Sequence, residues 1–480
     1  MKPALARLAI LLLLFPFTML EAAQPRGLFA DDFDPPSIEP LFLPSGGSFV
    51  LPDGPTAGQL EWLIAELAAN QTTTIAEVQA HFAPSWLSQI SATQTVDFIN
   101  SIRASYPNAK IRDVVALTPM QATVVIATPG SAPPWGYLNI MARYTGQGQI
   151  YGLGVNGWGG STLYPADQNL TLIQAADKFA TLSSAPGLLV GRIGANGQCT
   201  ALAERNANTP RALGSIWKLY ALGGVGRMIA DGTLFADDPI PMVASEMVLG
   251  STINEEPVGT VFSVGDLATL MMGISDNTAT DLLHERAGRV RMNQAVSQLG
   301  MAQPNVLTPL LSINEQFHLF RSFDLATSLA YVNGNETYQQ QFLDNQIVPL
   351  GPQTAAPYFH IQLLTSGSWS ASAFDICRAF AALRQLPPGS EALATVDAAL
   401  GAGVAQPNVR GDFQRVWYKG GSLAAGTNDN RVLTHAWMLE DAGEAPYVVI
   451  ALSNNPDSAI DSFLVQSVTG RLLELVAQRP

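Results

Sequence analysis

The sequence predicts two units of mixed structure. The first is a small α+β unit with helices packed on a curved antiparallel sheet, and the second is a larger α/β unit. Three observations predict this. At 480 residues the chain exceeds one compact domain. A composition of 47% hydrophobic and 13% charged residues supports large cores and excludes a disordered chain. Helix-spaced segments give way to strands beyond Pro107, and a new succession of helices and strands opens near Leu170.

The elements follow in order. Residues 1–23 read as a signal peptide: Lys2 and Arg7 accompany the apolar run Leu8–Leu20, and Ala22–Ala23 supply small residues for cleavage. That run is short for a membrane span and Pro16 interrupts it, so no stable membrane anchor is expected and the mature chain is exported, periplasmic or secreted. Residues 24–55 are rich in Pro, Gly and Asp and form an extended lead-in.

The first unit covers residues 56–165. Leu60, Leu63, Ile64 and Leu67 recur at helical spacing. Thr74 with Glu77 three residues on is a capping box for a second helix, and "TQTVDFINSIRAS" gives a third. Four strands follow, "IRDVVALT", "QATVVIAT", "YLNIMARYT" and "QIYGLGV", separated by Gly and Pro turns.

The second unit covers residues 169–480. It opens with the helix "LTLIQAADKFATLSS" and the strand "GLLVGRI". Helices dominate until three strands, "RVWYKGG", "RVLTHAWMLE" and "YVVIALS", and an amphipathic helix closes the chain. Its sheet therefore combines both ends of the segment.

A formal net charge of −14 repels phosphate backbones and anionic headgroups, so neither nucleic acid nor a membrane surface is expected as a partner. Cys199 and Cys377 suit either a disulfide or two buried thiols. The five histidines show no H-x-H or H-E-x-x-H spacing, and no metal or other cofactor is expected. No G-x-S-x-G occurs, which disfavours an α/β-hydrolase triad. His284 is expected on a helix surface and Trp217 in the core, while strand alternation leaves His435 facing a cleft or away from it.

Three short motifs carry chemistry. In "GSIWKLYALGG", Ser215 and Lys218 stand three residues apart at a helix start, on one face, where free N–H groups favour developing negative charge. The apolar surroundings suit a buried lysine able to take the serine proton. Gly223, Gly224 and Gly226 are poor helix formers and imply other backbone pressed against this helix. In "GISDNTATDLL", Ser275 offers a second hydroxyl to relay a proton to a leaving nitrogen, and Asn277 offers an amide to a substrate carbonyl or the lysine. In "VWYKGGSLAAG", Lys419 is expected to end a strand and attract a substrate carboxylate. Gly421 lets substrate lie along the strand edge, and the N–H of Ser422 pairs with that of Ser215 as an oxyanion hole.

In this order the motifs resemble S-x-x-K, S-D-N and K-T-G of the penicillin-recognising serine enzymes, the class A β-lactamases and penicillin-binding proteins. The resemblance covers Leu170 to the C-terminus and implies an antiparallel sheet flanked by helices, plus an all-helical subdomain. It implies Ser215 as acylated nucleophile, Lys218 as its base, Ser275 as relay, and Asn277, Lys419, Gly421 and Ser422 as substrate contacts. The partner is then a small acyl substrate: a β-lactam, an ester or a cell-wall peptide. The first unit, on element order and "AEVQAHFAPSWLSQ", is similar to the cystatin- or ketosteroid-isomerase-like domain of two-domain relatives.

Two departures stand out. Gly420 occupies the place of a hydroxyl residue in the third motif. The region after the second motif offers only Glu315 as a deacylation base, and Glu315 reads better as a helix-start acid. The resulting expectation is a serine hydrolase, with a slowly acylating sensor or scaffolding protein as the alternative.

Overall fold

The computed structural model describes residues 54–353 and 357–479. The expected signal peptide and nearly all of the expected lead-in lie outside these residues. Helix α1 (Pro55–Glu66) starts on a proline whose missing N–H is no loss at a helix start. Helix α2 (Ile75–His81) has the Thr74–Glu77 capping box read from the sequence. Helix α3 (Ala92–Ser105) is capped by Ser91 and Gln94 in the same way. Strands β1 (Lys110–Leu117), β2 (Gln121–Ala127), β3 (Trp135–Ala142) and β4 (Ile150–Trp158) pair in sequence order as an antiparallel meander. Two register shifts in β1 bend the sheet, since each extra residue adds local twist.

Every residue of β2 is buried because both faces of this sheet are covered. Val124 and Ile126 face α1–α3 with Leu60, Leu63 and Ile99, while Val125 and Ala127 join a core shared with the second unit. The two units thus meet through an apolar face.

The second unit begins with α4 (Leu172–Ala180), β5 (Ala185–Ile193) and β6 (Cys199–Arg205). A 3₁₀ turn over Gly214–Trp217 leads into α5 (Lys218–Ala230). The helical portion includes α6 (Val264–Gly273), α7 (Asn277–Ala287), α8 (Arg289–Gln298), α9 (Ile313–Arg321), α10 (Ala373–Arg384) and α11 (Glu391–Leu400). Strands β7 (Arg415–Ala424), β8 (Asn430–Glu440) and β9 (Tyr447–Asn454) and helix α12 (Ser462–Ala477) complete the unit.

The sheet order is β7-β8-β9-β5-β6, antiparallel throughout. Helices α4 and α12 cover one face, with Phe179, Val468 and Leu472 in the core, and the helical portion covers the other. The sheet does combine both ends of the segment. Strand β6 was not anticipated: it lies at the edge, four of its seven residues are exposed and only Ala203 is buried, so it lacks an apolar period.

Helix α5 is buried almost all round. Its glycines are approached by side chains and not, as expected, by backbone. A Cβ on Gly223 would lie 2.4 Å from Leu299 Cδ1, and one on Gly226 would lie 3.1 Å from Val396 Cγ2. Gly232, at φ +67°, ends the helix as a left-handed residue. Trp217 is core, stacked on Trp369 with centroids 4.8 Å apart.

Cys199 and Cys377 form a disulfide that ties β6 to α10 across 178 residues of sequence. In the chain-entropy account a loop of that length disfavours the unfolded state by roughly 5 kcal/mol at most. No helix among the described residues is long and apolar enough to cross a membrane.

Candidate active site

The 3₁₀ turn makes Ser215 and Lys218 neighbours, because residues three apart eclipse one another in that geometry. Ser215 is half-buried and Lys218 is fully enclosed. Nζ of Lys218 donates to Ser275 O at 2.6 Å and to Asn277 Oδ1 at 2.9 Å, and lies 3.3 Å from Ser275 Oγ. Lys419, also fully enclosed, donates from Nζ to the same Ser275 Oγ at 3.0 Å and to Gly420 O at 2.8 Å. The three motifs converge on one hydroxyl.

Ser275 is held in a left-handed backbone conformation, φ +59°. Such a residue costs on the order of 1–3 kcal/mol and persists only where its surroundings fix it. Asp276 supplies part of that support. As N-cap of α7 it accepts from Ala279 N at 2.8 Å and from Ile253 N at 3.1 Å. Burial pushes the Asp276 carboxyl up, against the pull of these donors and of Lys218.

The third motif sits in the middle of β7 and does not end it, a correction to the expectation. Its backbone presses on the first motif. A Cβ on Gly421 would stand 2.3 Å from Leu213 O and 2.5 Å from Ser215 N, and one on Gly214 would stand 2.6 Å from Ser422 N. The amides of Ser215 and Ser422 are therefore brought side by side by an approach only glycine allows.

Glu315 stays apart from this cluster. It closes the capping box of α9 with Ser312, and its other oxygen pairs with Arg289. His284 is corrected from helix surface to core: it is buried, with Nε2 2.9 Å from Leu310 O. His435 faces away from Lys419, packed between Tyr418 and Trp437, with Tyr418 Oη 2.7 Å from Nδ1.

The sequence reading passed over Asp281, one turn beyond Asn277. Its carboxyl accepts from Ile313 N at 2.7 Å and Asn314 N at 2.9 Å, fixing the start of α9 to α7. Burial, with help from Glu315, pushes it up to about 7 against those two donors. In the unfolded chain it ionises near 4. The folded state therefore retains a proton that the unfolded state releases, and stability falls as pH rises from about 4 to about 7. The contribution is on the order of 4 kcal/mol. Thermal unfolding of Asp281→Asn beside the wild type should show a flatter dependence over that window. An identical slope in both proteins would refute the assignment.

Residues 180–344 match the model of the beta-lactamase enzyme family. The matched stretch lies within the second unit. No curated protein matches the chain. Among solved structures, the chain is similar to a beta-lactamase from Chitinophaga pinensis at 14% identity and TM-score 0.44, covering 64% of this chain and 97% of that one. A beta-lactamase from Sphaerobacter thermophilus matches at 17% identity and TM-score 0.41, over 64% and 96%. The protein PBP-A matches at 15% identity and TM-score 0.42, over the same shares.

Proposed function

We propose that the chain is an exported serine hydrolase that forms an acyl-enzyme on Ser215 with a β-lactam, another amide or an ester. One observation carries the proposal: Ser275 Oγ lies 3.3 Å from Lys218 Nζ and 3.0 Å from Lys419 Nζ, joining a residue from each motif. In this reading Ser215 Oγ attacks the substrate carbonyl carbon and its proton passes to Lys218 in the neutral form. The adjacent amides of Ser215 and Ser422 stabilise the oxyanion. As the intermediate collapses, the leaving nitrogen or oxygen takes a proton through Ser275. Asn277 and Lys419 hold the substrate's carbonyl and carboxylate. Water then releases the acyl group.

The leader segment and the disulfide support export, since such bonds persist in oxidising compartments. The N-terminal unit is read as a cystatin- or ketosteroid-isomerase-like domain on its helices and four-stranded meander.

Incubation with a fluorescent penicillin and with a fluorophosphonate, followed by intact mass and peptide mapping, tests the proposal. An adduct on Ser215 is expected. A folded protein that takes up neither reagent ends the reading. The commitment of Glu315 to its cap and to Arg289 favours slow release as a second reading. Stoichiometric acylation without turnover of nitrocefin or a nitrophenyl ester supports that sensor role, whereas steady hydrolysis supports the enzyme.

A further inference from the structure

We infer that the N-terminal unit positions Ser275 and Asn277, and that Glu256 is the residue through which it does so. The inference rests on the reading of Ser275 as part of a reacting site. Glu256 belongs to the second unit but is satisfied by the first. It is only 3% exposed, and its carboxylate accepts from Tyr144 N at 2.8 Å and from Thr145 Oγ1 at 2.5 Å, at the turn after β3. A buried carboxylate held by two donors from another unit fixes its own backbone, because leaving it unpaired is costly.

That backbone caps the 3₁₀ turn Thr252–Glu255, with Glu256 N donating to Ile253 O at 3.0 Å, and the turn reaches the second motif directly. Ile253 N donates to Asp276 Oδ2 at 3.1 Å, Thr278 N donates to Ser251 Oγ at 2.8 Å, and Thr278 Oγ1 donates to Asn254 Oδ1 at 2.9 Å. Asp276 and Thr278 flank Asn277 and follow Ser275. Helix α6, which leads into the motif, is gripped by the same unit. Tyr144 Oη donates to Asp266 Oδ2 at 2.8 Å, and its ring packs on Phe262 with centroids 4.4 Å apart. At the far end of α6 a Cβ on Gly273 would lie 2.8 Å from Thr118 Cγ2, two residues before Ser275. The left-handed conformation of Ser275 is therefore clamped from both sides by contacts that originate in the N-terminal unit. Glu256 is a positioning residue and touches no reacting atom.

The experiment compares full-length Glu256→Ala, Glu256→Gln and Thr145→Val with the wild type. Hydrogen exchange is followed over 251–256 and 270–279, and Ser215 acylation by fluorescent penicillin is followed across pH. In Glu256→Ala, exchange should rise in both segments while β5 and β9 keep their protection, and acylation should slow about tenfold with a displaced pH profile. Glu256→Gln, whose amide oxygen still accepts from Tyr144 N, should recover most of both. Thr145→Val removes a single donor and gives a milder shift in the same direction if Glu256→Ala does not fold. Unchanged exchange over 270–279 in a folded Glu256→Ala, or in Thr145→Val where that variant stands alone, overturns the inference. A wild type that accepts no acyl reagent sinks the hydrolase reading instead, and leaves the exchange result as the measure of the coupling.

Discussion

Lys218→Ala is expected to slow acylation of Ser215 by about a thousandfold, within the range that general acid–base groups contribute. The lysine is fully enclosed, and its nitrogen is held by Ser275 O and Asn277 Oδ1 at hydrogen-bond distance. With Ser215 one 3₁₀ turn away, no other group on that turn carries a nitrogen base. The stability cost is expected to be smaller. The variant loses those hydrogen bonds, but it also sheds the cost of burying a polar amine. Pre-steady-state labelling with fluorescent penicillin, beside a thermal melt, separates the two effects. Labelling at the wild-type rate would remove Lys218 from proton transfer.

Gly421→Ala is expected to damage both the site and the fold. The added methyl would meet Leu213 O at 2.3 Å and Ser215 N at 2.5 Å, and backbone atoms on a strand and a helix start have little freedom to yield. Overpacking of this kind costs about 1–3 kcal/mol. Forcing β7 away from Ser215 would also separate the two amides read as the oxyanion hole, and loss of one such donor costs about a hundredfold in rate or more. Gly157→Ala is the control: its Cβ would have no atom within 4 Å, and its backbone is not left-handed. The control should melt and label like the wild type. A Gly421→Ala protein that did the same would contradict the proposed proximity of the two motifs.

The parts legible in the sequence were those governed by local rules. Thr74 and Glu77 announced a capping box that the structure contains, and apolar runs bounded by Gly and Pro turns marked β1–β4. The convergence of Ser215, Lys218, Ser275 and Lys419 was legible through motif order, although the sequence held no distances. What escaped depends on partners distant in sequence. Strand β6 has no apolar period because one edge and much of one face meet solvent. His284 reads as a surface residue until Leu310 O is found beside it. Asp281 and Glu256 look like ordinary acids, and only tertiary packing shows that each is buried with backbone donors from elsewhere. The orientation of His435 needed a register, which pairs it with Gly420 and sets its ring against Trp437.

The pairing of β5 with β9 sets a timetable for folding. Leu189 lies opposite Ile450, so the centre of the second sheet is closed by a strand near the C-terminus. The N-terminal meander pairs each strand with the next and can assemble as soon as it emerges. Strands β5 and β6 must wait, unpaired on one side, until nearly the whole chain has been delivered. Long-range closure of that kind is slow, because loop entropy is lost before contacts are gained. Helix α10, which brings Cys377 to Cys199, packs on β5 and β9. Both cysteines precede β9 in the chain, so a ribosome-bound chain holds both crosslink partners before it has the strand that finishes the second sheet.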